Sequence, residues 1–291
     1  MRVYFLAERE SVLTVNGAYL GTVDGFERSA HIDPKDGIFC ACSPAGYLPV
    51  GFRFDEAFLF APPPQVKLYY SRGSVAVYCY DFVRADPSLT VLWQERAEGS
   101  RLTLCMQGRL QLNLENETGF HIVPLPERFS LCKPYPCGGD ILLEGQGCFA
   151  LLGRDGQIKV LAEGRVLERG ATLKAETFYR DSCGHTAVTQ WRGGELISRS
   201  VRTAREPTEA TFALALMESV RIGADITPFL SDELLPKANS LKKFLGEFEE
   251  VVLTEESTLV GIVCPRKERV YDVRYFRVTI TDGKVSNLKE E

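Results

Sequence analysis

Histidine, tryptophan and methionine are scarce in this chain of 291 residues, which contains three, two and three of them. Three histidines leave little material for acid–base catalysis or metal binding, because histidine is the side chain that most often serves both roles. No apolar run approaches the roughly 18 residues of a membrane-spanning helix. Basic residues are not in excess, since 34 Lys and Arg stand against 39 Asp and Glu. The sequence therefore predicts no nucleic-acid partner and no membrane span.

Motifs of well-defined chemistry are absent as well. The sequence has no Gly-rich phosphate loop, no Gly-x-Ser-x-Gly nucleophile turn and no His-Glu-x-x-His zinc helix. We accordingly predict no catalytic residue, no cofactor and no metal. Whether the protein is an enzyme stays undecided at this point, and the sequence favours a protein that is not one.

The N-terminus and the cysteines bear on the compartment. The stretch MRVYFLAERES has a short apolar segment before Glu8, whereas a secretory signal needs a longer one. The nine cysteines are odd in number, and the chain is too large to need disulfides for stability. Cys79 and Cys105 lie within strand-like patterns, where cysteine packs as a small apolar residue. We therefore expect reduced thiols and a cytoplasmic location.

A change of pattern at Arg205-Glu206-Pro207 organises the sequence. Before it, apolar and polar residues alternate in short runs broken by Gly, Pro, Asn and Asp. After it, apolar residues recur at helical spacing, and strand patterns return near the end. We predict a mainly β protein, with antiparallel β-sandwich or sheet modules over residues 1–205. A small α+β domain follows, with helices packed on a curved antiparallel sheet.

Proline and charge suggest the domain limits. We predict a β-sandwich module over residues 1–60, a linker at the three prolines that follow Ala61, and a β-rich region over 65–205. The proline-rich segment 124–139 is where that region would divide into two units. The α+β domain covers 206–291 and holds the whole net charge of −5, because it carries 11 basic and 16 acidic side chains.

A hairpin motif and a Gly-Tyr-x-Pro turn occur close together within residues 12–54. The segment VNGAYLGTV precedes DGIFCACSPAGYLPVGFRF, and Asn-Gly supplies the positive φ angles of a tight hairpin. This arrangement resembles the PEGA-type β-sandwich repeat. The resemblance implies a spacer or binding module, often part of exported or envelope proteins. The matching residues are Asn16, Gly17, Gly21, Gly37, Gly46, Tyr47 and Pro49.

Helices are predicted to come first after Pro207. Thr208 or Thr211 can cap a helix that runs to about Ile222. A short second helix begins at Thr227-Pro228, and Asn239 or Ser240 caps a third. The strand patterns EEVVLT, TLVGIVC, RVYDVRYFRVTIT and KVSNL follow.

The apolar phase changes within the long strand pattern. Tyr271 and Tyr275 share one face of the alternation, whereas Phe276 and Val278 occupy the other. A β-bulge near Tyr275-Phe276 would restore one continuous apolar face, and we predict it there.

This order of elements, helices followed by a curved sheet, resembles the nuclear-transport-factor-like cone fold, or a reduced cystatin-like version, over residues 208–288. The resemblance implies an apolar pocket between sheet and helices that often binds a small ligand. Asp272 is predicted to face outward, so no catalytic residue follows from it. The alternative is that the aromatic residues simply fill the core. The predicted lining residues are Phe212, Phe248, Tyr271, Tyr275 and Phe276.

Two groups of reactive side chains require an explanation. Asp181-Ser182-Cys183-Gly184-His185 contains a possible nucleophile and base, but neighbours on a turn rarely face each other, so a loop is favoured. Cys132 and Cys137 flank a proline-rich turn, where a disulfide or metal is the alternative to plain burial.

Three hypotheses for the function remain. The first is a non-catalytic, multidomain binding or scaffold protein of the cytoplasm. The second is a small-molecule-binding or enzymatic pocket in the C-terminal domain. The third is an envelope-associated structural protein. Aromatic residues of the β region would suit a peptide or sugar surface, and alternation sends Tyr69 and Tyr70 to opposite faces.

Overall fold

The computed structural model describes residues 1–25, 27–86 and 88–291. The protein is mainly β, with 54% of its residues in strands and 13% in helices, which confirms the predicted fold class. The chain forms two compact units: residues 1–83 together with 207–291, and residues 84–206. The second break falls at the predicted change of pattern, at Pro207. The predicted ranges 1–60, 65–205 and 206–291 follow other limits and stay predictions.

The elements are numbered in chain order. Before residue 84 they are β1 (Arg2–Ala7), β2 (Ser11–Val15), β3 (Ala18–Val23), β4 (Arg28–His31), β5 (Ile38–Pro44), β6 (Val50–Phe54), α1 (Glu56–Phe60), β7 (Val66–Ser71) and β8 (Ser74–Cys79). From 84 to 206 they are β9 (Thr90–Ala97), β10 (Ser100–Gln107), β11 (Arg109–Asn116), β12 (Gly119–Pro124), β13 (Lys133–Cys137), β14 (Asp140–Gly145), β15 (Cys148–Leu152), β16 (Ile158–Glu168), β17 (Leu173–Phe178), β18 (Thr186–Arg192) and β19 (Glu195–Arg202). After 206 they are α2 (Phe212–Arg221), α3 (Ala238–Leu245), β20 (Glu250–Leu253), β21 (Leu259–Lys267), β22 (Val270–Thr281) and β23 (Lys284–Glu290).

An eight-stranded sheet joins the two segments of the first unit. Its order is β20-β21-β22-β7-β8-β1-β4, and β23 also pairs with β22. Most neighbours are antiparallel, but β1 pairs in parallel with β8, and β22 pairs in parallel with β7. The β7–β22 contact places Val270 beside Leu68, so strands from the start and the end of the sequence share one sheet.

A four-stranded sheet of order β3-β2-β5-β6 packs on the N-terminal strands of the eight-stranded sheet. Its alternating residues fill the space between the two sheets, as in a β-sandwich. Cys40 and Cys42 lie on the same inward face of β5 and are fully buried, as alternation predicts. The hairpin of β2 and β3 turns at Asn16 and Gly17, whose φ angles of 48° and 79° confirm the predicted turn.

The C-terminal helices follow the sequence pattern closely. Helix α2 ends at Arg221, and the preceding turn is closed by reciprocal hydrogen bonds between Thr208 and Thr211. The second predicted helix is a short 3-10 turn, Thr227–Phe229. Helix α3 starts at Ala238 and is preceded by Lys237, so the prediction that Asn239 or Ser240 caps this helix is wrong: both residues lie inside it.

The predicted bulge near Tyr275-Phe276 is wrong. The pairing of β21 with β22 is regular there, with Gly261 opposite Tyr275 and Val260 opposite Phe276. The register shifts instead near the two ends of β22, one of them between Thr279 and Ile280. The apolar phase changes because the neighbour of β22 changes: its first residues pair with β7, and its later residues pair with β23.

The second unit contains a four-stranded sheet, β12-β11-β10-β9, and a seven-stranded sheet that runs from β13 to β19. Strands β14 and β15 are buried on both faces, as their continuous apolar sequence suggests. One face, with Ile141 and Leu143, packs against the four-stranded sheet. The other face, with Leu142 and Phe149, packs against β17 and Trp191.

Among the described residues, none of the helices has the length and apolar character needed to cross a membrane.

Candidate functional site

Tyrosine side chains from neighbouring strands lie on one face of the eight-stranded sheet. Alternation along β7 buries Leu68 in the sandwich core and turns Lys67 and Tyr69 to the opposite face. Strand β8 presents Tyr78 on that same face, directly across from Lys67. Strand β22 adds Tyr271, because its parallel pairing sets this residue beside Tyr69.

The tyrosine rings form two stacked pairs. The ring centroids of Tyr69 and Tyr271 are 5.1 Å apart with an interplanar angle of 17°. Those of Tyr78 and Tyr80 are 6.0 Å apart and nearly parallel. The Lys67 ammonium lies between the pairs, with its Nζ 5.2 Å from the centroid of Tyr80 and 5.7 Å from that of Tyr271. The aromatic faces therefore already hold one cation in this fold.

All of these side chains except Tyr271 border a cleft of about 430 Å³ that is open to solvent. Its volume lies within the range of ligand pockets, but it does not enclose its contents. The lining residues come from both segments of the first unit and are Leu6, Glu8, Lys67, Tyr69, Tyr78, Tyr80 and Glu250.

Two carboxylates, those of Glu8 and Glu250, line the cleft beside the single positive charge of Lys67. Glu8 follows β1, and its Oε2 accepts the backbone N–H of Asp81 at 2.9 Å, which fixes the carboxylate beside the tyrosines. Glu250 begins β20. Within the part of the chain that the structure describes, neither forms an ion pair. The cleft is therefore negative overall, despite Lys67.

Burial and nearby carboxylates raise the pKa of three of these tyrosines. Desolvation raises the pKa of Tyr69, and the negative charge of Glu250 raises it further. The pKa of Tyr78 is raised by desolvation and then by Glu8 and Glu250. Desolvation, followed by Glu249, raises that of Tyr271. At neutral pH the cleft therefore offers neutral hydroxyl donors and electron-rich ring faces beside negative charge, an arrangement suited to binding.

The predicted lining residues of β22 are distributed over two faces of the sheet. Tyr271 stacks on Tyr69 at the cleft, and the hydroxyl of Tyr275 is 3.1 Å from Oγ of Ser71. Phe276 is fully buried on the opposite face, where its ring meets Phe244 of α3 edge-on. The regular register of β22 explains this separation.

The other two predicted residues lie near the C-terminal helices. Phe212 opens α2, and its ring centroid is 5.3 Å from that of Phe229. Phe248 is buried and borders a second cleft, of about 390 Å³. The remaining residues of that cleft are Val220, Arg221, Gly246, Glu247, Glu249 and Pro265.

The segment Asp181–His185 is a closed loop. Asp181 accepts the backbone N–H of His185 at 2.9 Å, and its other carboxylate oxygen is 3.0 Å from His185 Nδ1. Both side chains are almost completely buried, at 1% and 2% exposure, so a substrate has no access to the pair. The carbonyl of Cys183 accepts two further backbone hydrogen bonds. These contacts indicate that Asp181 and His185 stabilise the conformation of the loop.

None of the nine cysteines, all of which the structure describes, forms a disulfide, and eight of them are buried. Cys132 and Cys137 do not approach as a pair, because the first lies in the core between the two sheets of the second unit and the second lies in the other cluster. The thiols of Cys42 and Cys79 share a hydrogen bond that lowers the pKa of Cys42 and raises that of Cys79. Among the described residues, no group of three or more His, Cys, Asp or Glu is placed to hold a metal ion.

Sequence reasoning missed Glu8, Lys67, Tyr78 and Glu250. One signal was present: in VKLYYS and in SVAVYCYDF, alternation places the polar and tyrosine residues on the face opposite the valines. The two glutamates had no such signal, because only the order of strands in the sheet brings them to the cleft.

No protein-family model and no curated protein sequence matches this chain.

Proposed function

We propose that this protein is a non-catalytic binding or scaffold protein of the cytoplasm, which holds an exposed segment of a partner protein in the tyrosine-lined cleft. What supports the proposal most is that three tyrosines from two stacked pairs line one open cleft, together with two carboxylates that form no ion pair within the described residues. Tyrosine is enriched at protein interfaces because it combines apolar area with a hydroxyl that finds a partner.

The openness of the cleft favours a protein segment over a small molecule. Small-molecule sites bury about 70–90% of the surface of their ligand. Here Tyr69, Tyr78 and Tyr80 remain half-exposed along an open face, so a small ligand would stay largely in water. A side chain that projects from a partner would be covered on its far side by the partner itself.

The lack of a disulfide among the described cysteines supports the cytoplasmic part of the proposal, since oxidising compartments favour disulfides. Two alternatives are kept. The second cleft beside Phe248 favours a small-molecule site within residues 208–288. The PEGA-like pattern of residues 12–54 favours an envelope-associated structural protein. A disulfide in the native protein would support this alternative.

Selection from a phage-displayed library of random peptides tests the docking site. We expect peptides that bind the wild-type protein to lose about tenfold or more in affinity for Tyr78→Leu, because truncating a central aromatic anchor removes much of an interface's binding energy. Fluorescence anisotropy of the labelled peptides measures the change.

Tyr19→Leu is the matched control, because Tyr19 is 68% exposed on β3 and outside the cleft. Equal thermal midpoints for both variants would establish that folding is intact. Selected peptides that bind Tyr78→Leu and Tyr19→Leu equally well would refute the cleft as the docking site.

A further inference from the structure

We infer that the occupant of the tyrosine-lined cleft is an arginine side chain presented by a partner protein, and that the neighbouring Lys67 ammonium repels it. This inference rests on the proposed docking function and specifies its chemistry. Three independent observations carry it: the charge of the cleft, the cations already packed on this face of the sheet, and the position of Lys67.

The charge of the cleft selects a cation. Glu8 and Glu250 line it without ion pairs within the described residues, and Glu249 acts on the same tyrosines from the start of β20. An anionic ligand would meet these carboxylates at close range in a partly desolvated site, where repulsion is strong. A cation gains from the same field and from the negative faces of the rings.

The protein's own side chains indicate which cation fits. On this sheet face, the guanidinium carbon of Arg72 lies 4.4 Å from the ring centroid of Tyr275, and that of Arg2 lies 5.0 Å from that of Tyr4. A guanidinium stacks flat on a tyrosine ring and can also pair with a carboxylate through two parallel hydrogen bonds. An arginine placed on Tyr78 would have both kinds of partner, because Glu8 and Glu250 border the same cleft.

Lys67 lies between the two ring pairs. Its ammonium contacts Tyr80 and Tyr271, while in the described chain no Lys or Arg contacts the rings of Tyr69 or Tyr78 in this way. Because Lys67 pairs directly with Tyr78 across the strands, an arginine on Tyr78 would lie close to this ammonium, and the two positive charges would repel each other. Removing the Lys67 charge should therefore strengthen the binding of a second cation.

The inference is tested with one selected peptide and its variants. Citrulline has the shape of arginine without its charge, so replacing a critical arginine by citrulline should weaken binding to the wild-type protein about tenfold. The affinity of the arginine peptide should rise about threefold for Lys67→Met, because this variant removes a repelling charge. It should fall about threefold for Glu250→Gln, because this variant removes an attracting charge.

Matched controls carry the same charge changes outside the cleft. Lys35→Met alters the exposed turn Pro34–Asp36, and Glu255→Gln alters an exposed residue that follows β20. Both should leave the affinity within about a factor of two, since exposed charges beyond a Debye length are screened.

The outcomes separate the inference from the function on which it rests. Two results would overturn the arginine assignment and leave the docking site intact. In the first, peptides that depend on Tyr78 keep their affinity when citrulline replaces arginine. In the second, they lose affinity for Lys67→Met. The absence of any peptide that depends on Tyr78 would overturn both. Citrulline sensitivity together with tighter binding to Lys67→Met would establish the inference.

Discussion

Tyr69 and Tyr70 are adjacent in β7 and have opposite environments. Tyr69 stacks on Tyr271 at the open cleft. The hydroxyl of Tyr70 donates to the carbonyl of Leu59 at 3.0 Å, and its ring packs against the sandwich core. At the scale of single residues, strand alternation alone places one tyrosine at the cleft and the other against the core.

The titration of Tyr69 provides a test at this scale. Its pKa is raised by desolvation and by Glu250. The folded state therefore holds the proton more tightly, so its contribution to stability is complete below about pH 10 and is lost as pH rises towards the folded pKa. We expect Tyr69→Phe, which cannot ionise, to lose less unfolding free energy than the wild type between about pH 9 and about pH 11.

Urea denaturation at each pH measures this difference. The exposed Tyr19→Phe is the matched control for replacing a tyrosine by phenylalanine outside the cleft. If Tyr69→Phe and the wild type lose stability in parallel, the environment assigned to Tyr69 is incorrect.

Among the elements, β16 has the most demanding geometry. Its first half pairs with β15, and from Gly164 onward it pairs with β17. Gly164 has φ = 149°, and a Cβ at this position would lie 1.9 Å from the carbonyl oxygen of Glu176. The strand changes partner at the one residue type that allows so close an approach.

Gly164→Ala should therefore destabilise the protein by about 3 kcal/mol or more, because it combines backbone strain with a backbone clash. Urea denaturation measures the change in unfolding free energy. Gly170→Ala is the control, since a Cβ there meets nothing within 4 Å. Similar losses in the two variants would mean that Gly164 is not a steric requirement.

Local signals were sufficient for most elements and failed at β22. The hairpin turn at Asn16-Gly17 and the cap pair Thr208 and Thr211 depend on neighbours within a few residues, so the sequence predicts them. The misplaced bulge had another cause. The phase of β22 reflects two different neighbouring strands, and one of them, β7, belongs to a distant part of the sequence.

At the scale of the whole molecule, one limit between the units is visible in the sequence and the other is not. At Pro207 the apolar period changes from strand to helix. At Val83 the chain leaves one set of strands and enters another, so the period does not change. The cleft could not be predicted from the sequence either. Alternation predicts which face of its own strand each tyrosine occupies, but the order of strands in the sheet brings these residues together.

The thiols allow a test of the whole protein. Iodoacetamide is added to the native protein at cell lysis. We expect it to react first at Cys264, because the other eight thiols are buried. Burial also raises the pKa of Cys264, so even this reaction should be slow near neutral pH. Mass spectrometry should find all nine cysteines alkylated after unfolding without reductant. A disulfide that survives this treatment would contradict the proposed cytoplasmic location.

The parallel pairing of β7 with β22 has a consequence for synthesis. Val270 reaches the ribosome's active site roughly 200 residues after Leu68, which corresponds to about 10–40 s at typical elongation rates of about 5–20 residues per second. During that interval one edge of β7 has no strand beside it, and an unpaired edge is a template for pairing with other chains. The nascent protein therefore carries an aggregation hazard through much of its synthesis, and nascent-chain chaperones would protect this edge until β22 is made.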